Sequence, residues 1–141
     1  MQRSIESGPE RIESFVSRDE PSAPLIMINL LRYHEQAQYP ADFEAEPCTG
    51  REAYQRYGAV AATRIAAVGG RLLWLGDVMA SVIAPEGEEW DHAVLVEYPS
   101  REAFLKMIAD PAYQAVAPHR SAALLDSRLI ASHAVMGSIG E

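Results

Sequence analysis

The side chains whose types and settings could hold or turn over a small organic molecule are Asn29, Arg32, Tyr54, Tyr57, His119 and Arg120. Asn29 interrupts the aliphatic run Leu25 to Leu31, where an amide is costly to bury without a hydrogen bond. It either points into a pocket and holds a ligand carbonyl, or bonds neighbouring backbone and fixes the strand. Arg32 ends the run beside a long polar loop. Its planar guanidinium suits a substrate carboxylate or an enolate oxygen; the alternative is an ion pair with one of the 20 acidic side chains. Tyr54 and Tyr57 lie three apart on one helix face. They are core aromatics with hydroxyls bonded at the edge, or one phenol donates to a ligand oxygen. His119 titrates near neutrality and is the candidate general base or haem ligand. Together His119 and Tyr57 are the catalytic candidates. Arg120, next to His119, joins the ligand-binding set. No carboxylate at a triad spacing accompanies His119, so a structural role is the competing reading. His34, His92 and His133 carry weaker signals.

Several chemistries lack their motifs. No HxH, HExxH or CxxC spacing occurs, so no metal site is expected. GxGxxG, P-loop and GxSxG are missing as well, and no cofactor is expected. Cys48 sits in a proline-flanked polar loop without cationic neighbours and reads as inert. A single cysteine allows no internal disulfide, which fits a reducing, cytoplasmic setting. The first residues, MQRSIESGPERIESFVS, have no long apolar core and read as neither secretory signal nor transit peptide. The net charge of −8 would repel a phosphate backbone or an anionic membrane, so neither nucleic acid nor membrane is an expected partner. The longest apolar run is also too short to span a bilayer.

The elements that must position these residues follow from periodicity. The 141 residues, 48% hydrophobic and 23% charged, read as one domain, with a helical extension over 1–23 and a core over 24–135. Pro9 can open a short helix over 9–18, capped by Ser7 or Gly8, with Ile12, Phe15 and Val16 as its stripe. Pro21 and Pro24 end that pattern. PLIMINLLR (24–32) is a near-continuous apolar run, as in a central strand. Residues 33–49 show no period, and such a loop is often a functional lid. Thr49 to Glu52 has capping-box spacing, opening a helix that runs to about Val68 and stops at Gly69-Gly70. A long strand over 71–85, with Gly76 as a bulge, and another over 90–99 form a hairpin. Ser100 caps the next helix, Pro111 interrupts it, a helical stretch covers 112–124, and a strand runs over about 126–135.

Strand, helix, strand, strand, helix, strand is the ferredoxin-like plan, an α+β fold with a four-stranded antiparallel sheet. Right-handed crossovers place both long helices on one side of that sheet. Yet Leu25 to Leu31, Leu72 to Leu75 and Ala93 to Val96 are apolar at successive positions, so both sides are greasy. Covering the second side calls for another sheet, and a two-fold homodimer through the sheet faces is the expected solution.

The residues also resemble a family. Ile26-Met27-Ile28-Asn29-Leu30-Leu31-Arg32, Tyr54-x-x-Tyr57, Gly69-Gly70-Arg71, Glu97-Tyr98-Pro99-Ser100, Tyr113-x-x-x-x-Pro118-x-Arg120 and Asp126-Ser127-Arg128 occur in order. Over about 24–133 the chain resembles domain of unknown function 1330, within the dimeric α/β barrel superfamily. The resemblance implies a ferredoxin-like protomer, a face-to-face dimer and a small-molecule pocket in each subunit. Relatives by fold include cofactor-free monooxygenases, lactone isomerases, haem-dependent enzymes and stress-related proteins. Three functions therefore compete: a cofactor-independent enzyme on a small carbonyl, carboxylate or phenolic compound, a non-catalytic binding or stress-response module, and a haem-dependent enzyme.

Overall fold

The computed structural model describes residues 3–19 and 23–137; the break at Pro21 lies outside them. Helix α1 (Pro9–Ser17) has Pro9 in its first turn and Gly8 at its cap. Too short to persist alone, it docks through Phe15, edge-on to Phe104 at 5.9 Å. The Arg101 guanidinium donates to Phe15 O at 3.1 Å and seals the contact. Val16, expected in the apolar stripe, stays exposed.

Strand β1 (Leu25–Tyr33) fills the expected place. The loop after it is tied down by backbone bonds. His34 and Gln38 N–H donate to Ala123 and Ala122 carbonyls at 2.9 and 2.8 Å, and Ala37 N–H donates to Cys48 O at 2.9 Å. Helix α2 (Gly50–Ala67) opens on the expected capping box, in which the Glu52 N–H donates to Thr49 Oγ1 and the Thr49 N–H to Glu52 Oε1. Gly50 is required there. A Cβ would lie 2.2 Å from His34 O and 2.7 Å from Ala123 O, so only glycine lets the helix start against both neighbours. The helix ends at Gly69, φ 83°, with Gly70 N–H bonded to Ile65 O, a Schellman closure.

Strand β2 (Arg71–Asp77) stops well short of residue 85. Val78 N–H still bonds Asp91 O, but the chain then leaves the sheet. Apolar composition over 78–84 reads as strand in sequence; a strand persists only while its backbone finds a neighbour. The bulge lies between Leu72 and Trp74, not at Gly76. Gly76 instead makes room for the Trp74 indole, which a Cβ there would meet at 2.0 Å. Strand β3 (His92–Tyr98) completes the hairpin. Helices α3 (Arg101–Ile108) and α4 (Pro111–Ala123) follow, capped by Ser100 and Asp110. Strand β4 (Leu124–Ser132) starts earlier than expected because α4 passes into it directly, and Leu124 pairs with Tyr33 across a bulge.

The sheet order is β2-β3-β1-β4 with antiparallel neighbours, the ferredoxin-like α+β arrangement. Register assigns its two sides. Leu25, Met27 and Leu31 of β1 join Val94, Val96 and Tyr98 of β3 in the core, against Ala53, Phe104, Met107 and Ala123 of the helices. Ile26, Ile28 and Leu30 point the other way, opposite Glu97, Leu95 and Ala93. On that open side Trp74 and Ile130 are each 50% exposed.

Candidate functional site

The helix-facing side gathers phenols. Tyr57 and Tyr113 share a hydrogen bond between hydroxyls at 2.9 Å, with rings 5.8 Å apart. Tyr54 leans on Tyr57 at 5.1 Å, and Tyr33 on Tyr54 at 5.5 Å. Arg120 stands seven residues after Tyr113 on α4, two helical turns on and on the same face. Its charge acts on both Tyr54 and Tyr57. One of its nitrogens donates to Ile5 O at 2.9 Å, which fixes the guanidinium from the N-terminal segment.

Burial pushes the Tyr54 phenol up to about 12, although Arg120 pulls it back. Burial also holds Tyr57 well above its ordinary value, with Tyr113 adding to the effect. Tyr98, raised by burial and then by Tyr113 and Tyr54, borders the same group. At neutral pH these phenols keep their protons, so they can donate hydrogen bonds but do not serve as bases.

Asn29 lies on this side of the sheet, opposite Val94. Its Nδ2 donates to Val94 O at 3.3 Å and to Met27 O at 3.5 Å. The amide donor is thus committed to backbone, which leaves only Oδ1 for any other partner.

His119 belongs to a second group. The Tyr39 hydroxyl lies 2.6 Å from its Nδ1, and the Tyr39 and Phe43 rings meet the imidazole edge-to-face. Arg56 donates to Tyr39 Oη at 3.3 Å and to Glu46 O at 2.9 Å. Burial, then the Arg56 charge, holds the His119 pKa below its ordinary value. The loop expected as a lid therefore packs on His119, and a neutral imidazole is the form it holds.

Arg32 occupies a third place. It pairs in register with Asp126 on the open side of the sheet, away from Asn29 and the phenols. Its side chain makes no hydrogen bond or ion pair among the described residues. Asp126, 1% exposed, is held by other donors: Ser4 N–H, Ser127 N–H and Arg128 Nη1, each 2.9 Å from Oδ1. Burial opposes its ionisation, but these three donors outweigh it and keep the pKa below the ordinary value. Its Oδ2 is buried with no partner among the described residues. Glu97, on the same side, pairs with Arg71 at 3.0 Å as a cross-strand bridge.

So Tyr54, Tyr57 and Arg120 come together, and Asn29 shares their side of the sheet, while His119 and Arg32 do not join them. Two surface depressions, of about 440 and 380 Å³, are lined by other residues, one by Ser100 and Lys106, the other by Gln38 and Pro118.

One constellation escapes sequence reasoning. Asp77 Oδ1 lies 2.9 Å from His92 Nε2, and the Tyr33 hydroxyl lies 2.9 Å from His92 Nδ1. A carboxylate only accepts, so the Asp77 contact calls for a hydrogen on Nε2, and Arg51 Nη1 lies 3.3 Å from the same nitrogen. The Arg51 guanidinium sits 5.2 Å from the centre of the Tyr33 ring. These residues lie on three strands and a helix, and only the sheet register brings them together. Tyr113, by contrast, was within reach of sequence reasoning: its spacing of seven from Arg120 already puts both on one helical face. Among the described residues no three His, Cys, Asp or Glu side chains gather as metal ligands, and no helix is long and apolar enough to cross a membrane.

Comparison places this geometry among known proteins. Two crystal structures of a protein of unknown function from Rhodopseudomonas palustris, one of the methylated protein, superpose with TM-scores of 0.87 and 0.86. They are 36% and 35% identical, cover 96% of this chain, and are themselves covered to 98% and 100%. A hydroxynitrile lyase from Passiflora edulis shares the fold at a TM-score of 0.55 and 12% identity, over 84% of this chain and 99% of that one. No curated protein matches the chain. A family model matches residues 45–133, well over half of the chain, beginning after β1 rather than at residue 24. By that match the chain belongs to the family described as Domain of unknown function (DUF1330).

Proposed function

We propose that the protein binds a small carbonyl, carboxylate or phenolic compound at the phenol cluster between the sheet and helices α2 and α4, and acts on it without a cofactor. The observation that carries this reading is the Tyr57–Tyr113 hydroxyl pair, 2.9 Å apart, with Arg120 beside it. Two phenols in mutual hydrogen bond spend one O–H on each other and leave the second free for an incoming oxygen. Arg120 retains N–H groups beyond the one given to Ile5, and a guanidinium and a phenol converging on one oxygen stabilise negative charge developing there. Tyr57 and Arg120 thus hold the ligand oxygen, Tyr54 supplies a ring wall, and Asn29 orders the strand beneath.

A non-catalytic binding module is favoured by one specific observation. Tyr54 and Tyr57 hold their protons and His119 is turned toward Tyr39, so none of these three stands ready as a general base for the cluster. In either case the working unit is a homodimer whose open sheet sides face each other, since an aliphatic surface of that kind left in water forfeits about 25 cal/mol per Å².

The test is isothermal titration with acetoacetate, benzoylformate and 4-hydroxybenzoate, followed by Tyr57→Phe. Binding of one of them is expected, weakened about tenfold in the variant, as for loss of one hydrogen bond to a charged group, with melting nearly unchanged. Absence of binding to all three, or equal binding by Tyr57→Phe, would overturn the reading. Turnover of the bound compound separates enzyme from binding module.

A further inference from the structure

The connection between β2 and β3, residues 78–91, is fixed at its base and bare at its tip. Val78 N–H donates to Asp91 O at 2.9 Å and Asp91 N–H to Leu31 O at 2.7 Å. Trp90 is buried, with the Arg128 guanidinium 5.1 Å from its ring, and Arg128 pairs with Glu88 at 3.7 Å. Beyond this clamp Met79 is 97% exposed, Val82 91% and Ile83 97%. Scattered aliphatic side chains are ordinary on a surface. Three within five positions, held away from their own fold by an anchored base, form a docking patch.

We infer that this segment is an arm that packs on a second copy of the chain, with Met79, Val82 and Ile83 against the open sheet side around Trp74 and Ile130. The inference rests on the homodimer reading and specifies where its contacts lie. A second copy fits better than a lipid surface or an unrelated protein for two reasons. The chain itself supplies the matching apolar surface, since Trp74 and Ile130 are each 50% exposed on the side that no core residue covers. Charge agrees as well. The arm carries exposed Glu86 and Glu89, in a chain of net charge −8, which disfavours an anionic bilayer. The open side carries Arg32, whose side chain has no ion pair among the described residues. An acidic arm from one protomer meets a basic group on the other.

The experiment is sedimentation equilibrium of the full chain and of the triple variant Met79→Ser, Val82→Ser, Ile83→Ser. These side chains are almost fully exposed within their own protomer, so the variant is expected to keep its far-ultraviolet dichroism. Its dimer dissociation constant is expected to rise roughly 100-fold or more, as for losing several buried aliphatic contacts. A wild-type dimer with an equally tight variant dimer would overturn the arm and leave the dimer standing; a wild-type monomer would overturn both. Binding of wild type, but not variant, to phosphatidylcholine–phosphatidylserine vesicles with no change in mass would assign the patch to lipid and likewise overturn the inference. Should the triple variant fail to fold, benzoylphenylalanine at Ile83 supplies the second measurement. Ultraviolet light is then expected to give a covalent dimer, cross-linked to β2 or β4 peptides, whereas cross-links within one chain would contradict the inference.

Discussion

The two sides of the β-sheet are nearly equal in apolar content along β1, yet they have different fates. On the helix-facing side Leu25, Met27 and Leu31 are at most 3% exposed and join one core with α2, α3 and α4. On the open side Trp74 and Ile130 remain half exposed, and the nearby arm holds three side chains almost wholly in water. Composition is therefore a poor guide to burial within one chain. What differs is whether the protomer itself supplies a covering layer: α2, α3 and α4 cover Leu25, Met27 and Leu31, while Trp74 and Ile130 stay half exposed.

The largest effect that would sharpen this contrast is Leu31→Ala. Leu31 is fully buried, so its truncation is expected to cost about 2–5 kcal/mol of protomer stability through lost transfer energy and a residual cavity. Ile130→Ala on the open side is expected to cost less than about 1 kcal/mol of protomer stability while weakening self-association. Urea unfolding at two protein concentrations checks both at once. Only the open-side variant should lose the concentration dependence of its midpoint, and equal protomer costs would break the contrast.

Asp126 supplies a smaller, pH-dependent effect. Its folded pKa lies below the ordinary value of 3.8. Its stabilising contribution is thus fully present above the unfolded pKa and is lost as pH falls from there through the folded value. Asp126→Asn is expected to lower stability at neutral pH by about 1–3 kcal/mol, the usual cost of disturbing buried hydrogen bonds to a charged group. The same variant should flatten the stability profile below pH 4 or so, in the ordinary carboxylate range. A variant with the wild-type acid limb would show that Asp126 is not the group responsible.

Much of the fold was legible because local chemistry and tertiary demand agree. Thr49 and Glu52 announce a capping box, Gly69-Gly70 a helix end, and Pro111 a break between two helical stretches, and each occurs where the sequence puts it. The end of β2 was not legible. Val78 to Ala84 looks like strand in isolation, and only the absence of a neighbouring backbone ends it at Asp77. For the site, side-chain parity was the overlooked signal. Asn29 and Arg32 are three apart in a strand and so face opposite sides. His119 and Arg120 are adjacent on a helix and diverge by about 100°. The Tyr33–His92–Asp77 chain was beyond reach, because it depends on the pairing of Leu31 with His92 and of His92 with Asp77.

The central claim is that the open side of the sheet is shielded by an identical chain, and Trp74 reports on it directly. In Trp90→Phe it is the sole indole, since the chain contains two tryptophans. Acrylamide quenching at high protein concentration is predicted to find Trp74 protected, with protection lost on dilution to the monomer. An indole that quenches as freely as one in open solution at every concentration would contradict the account.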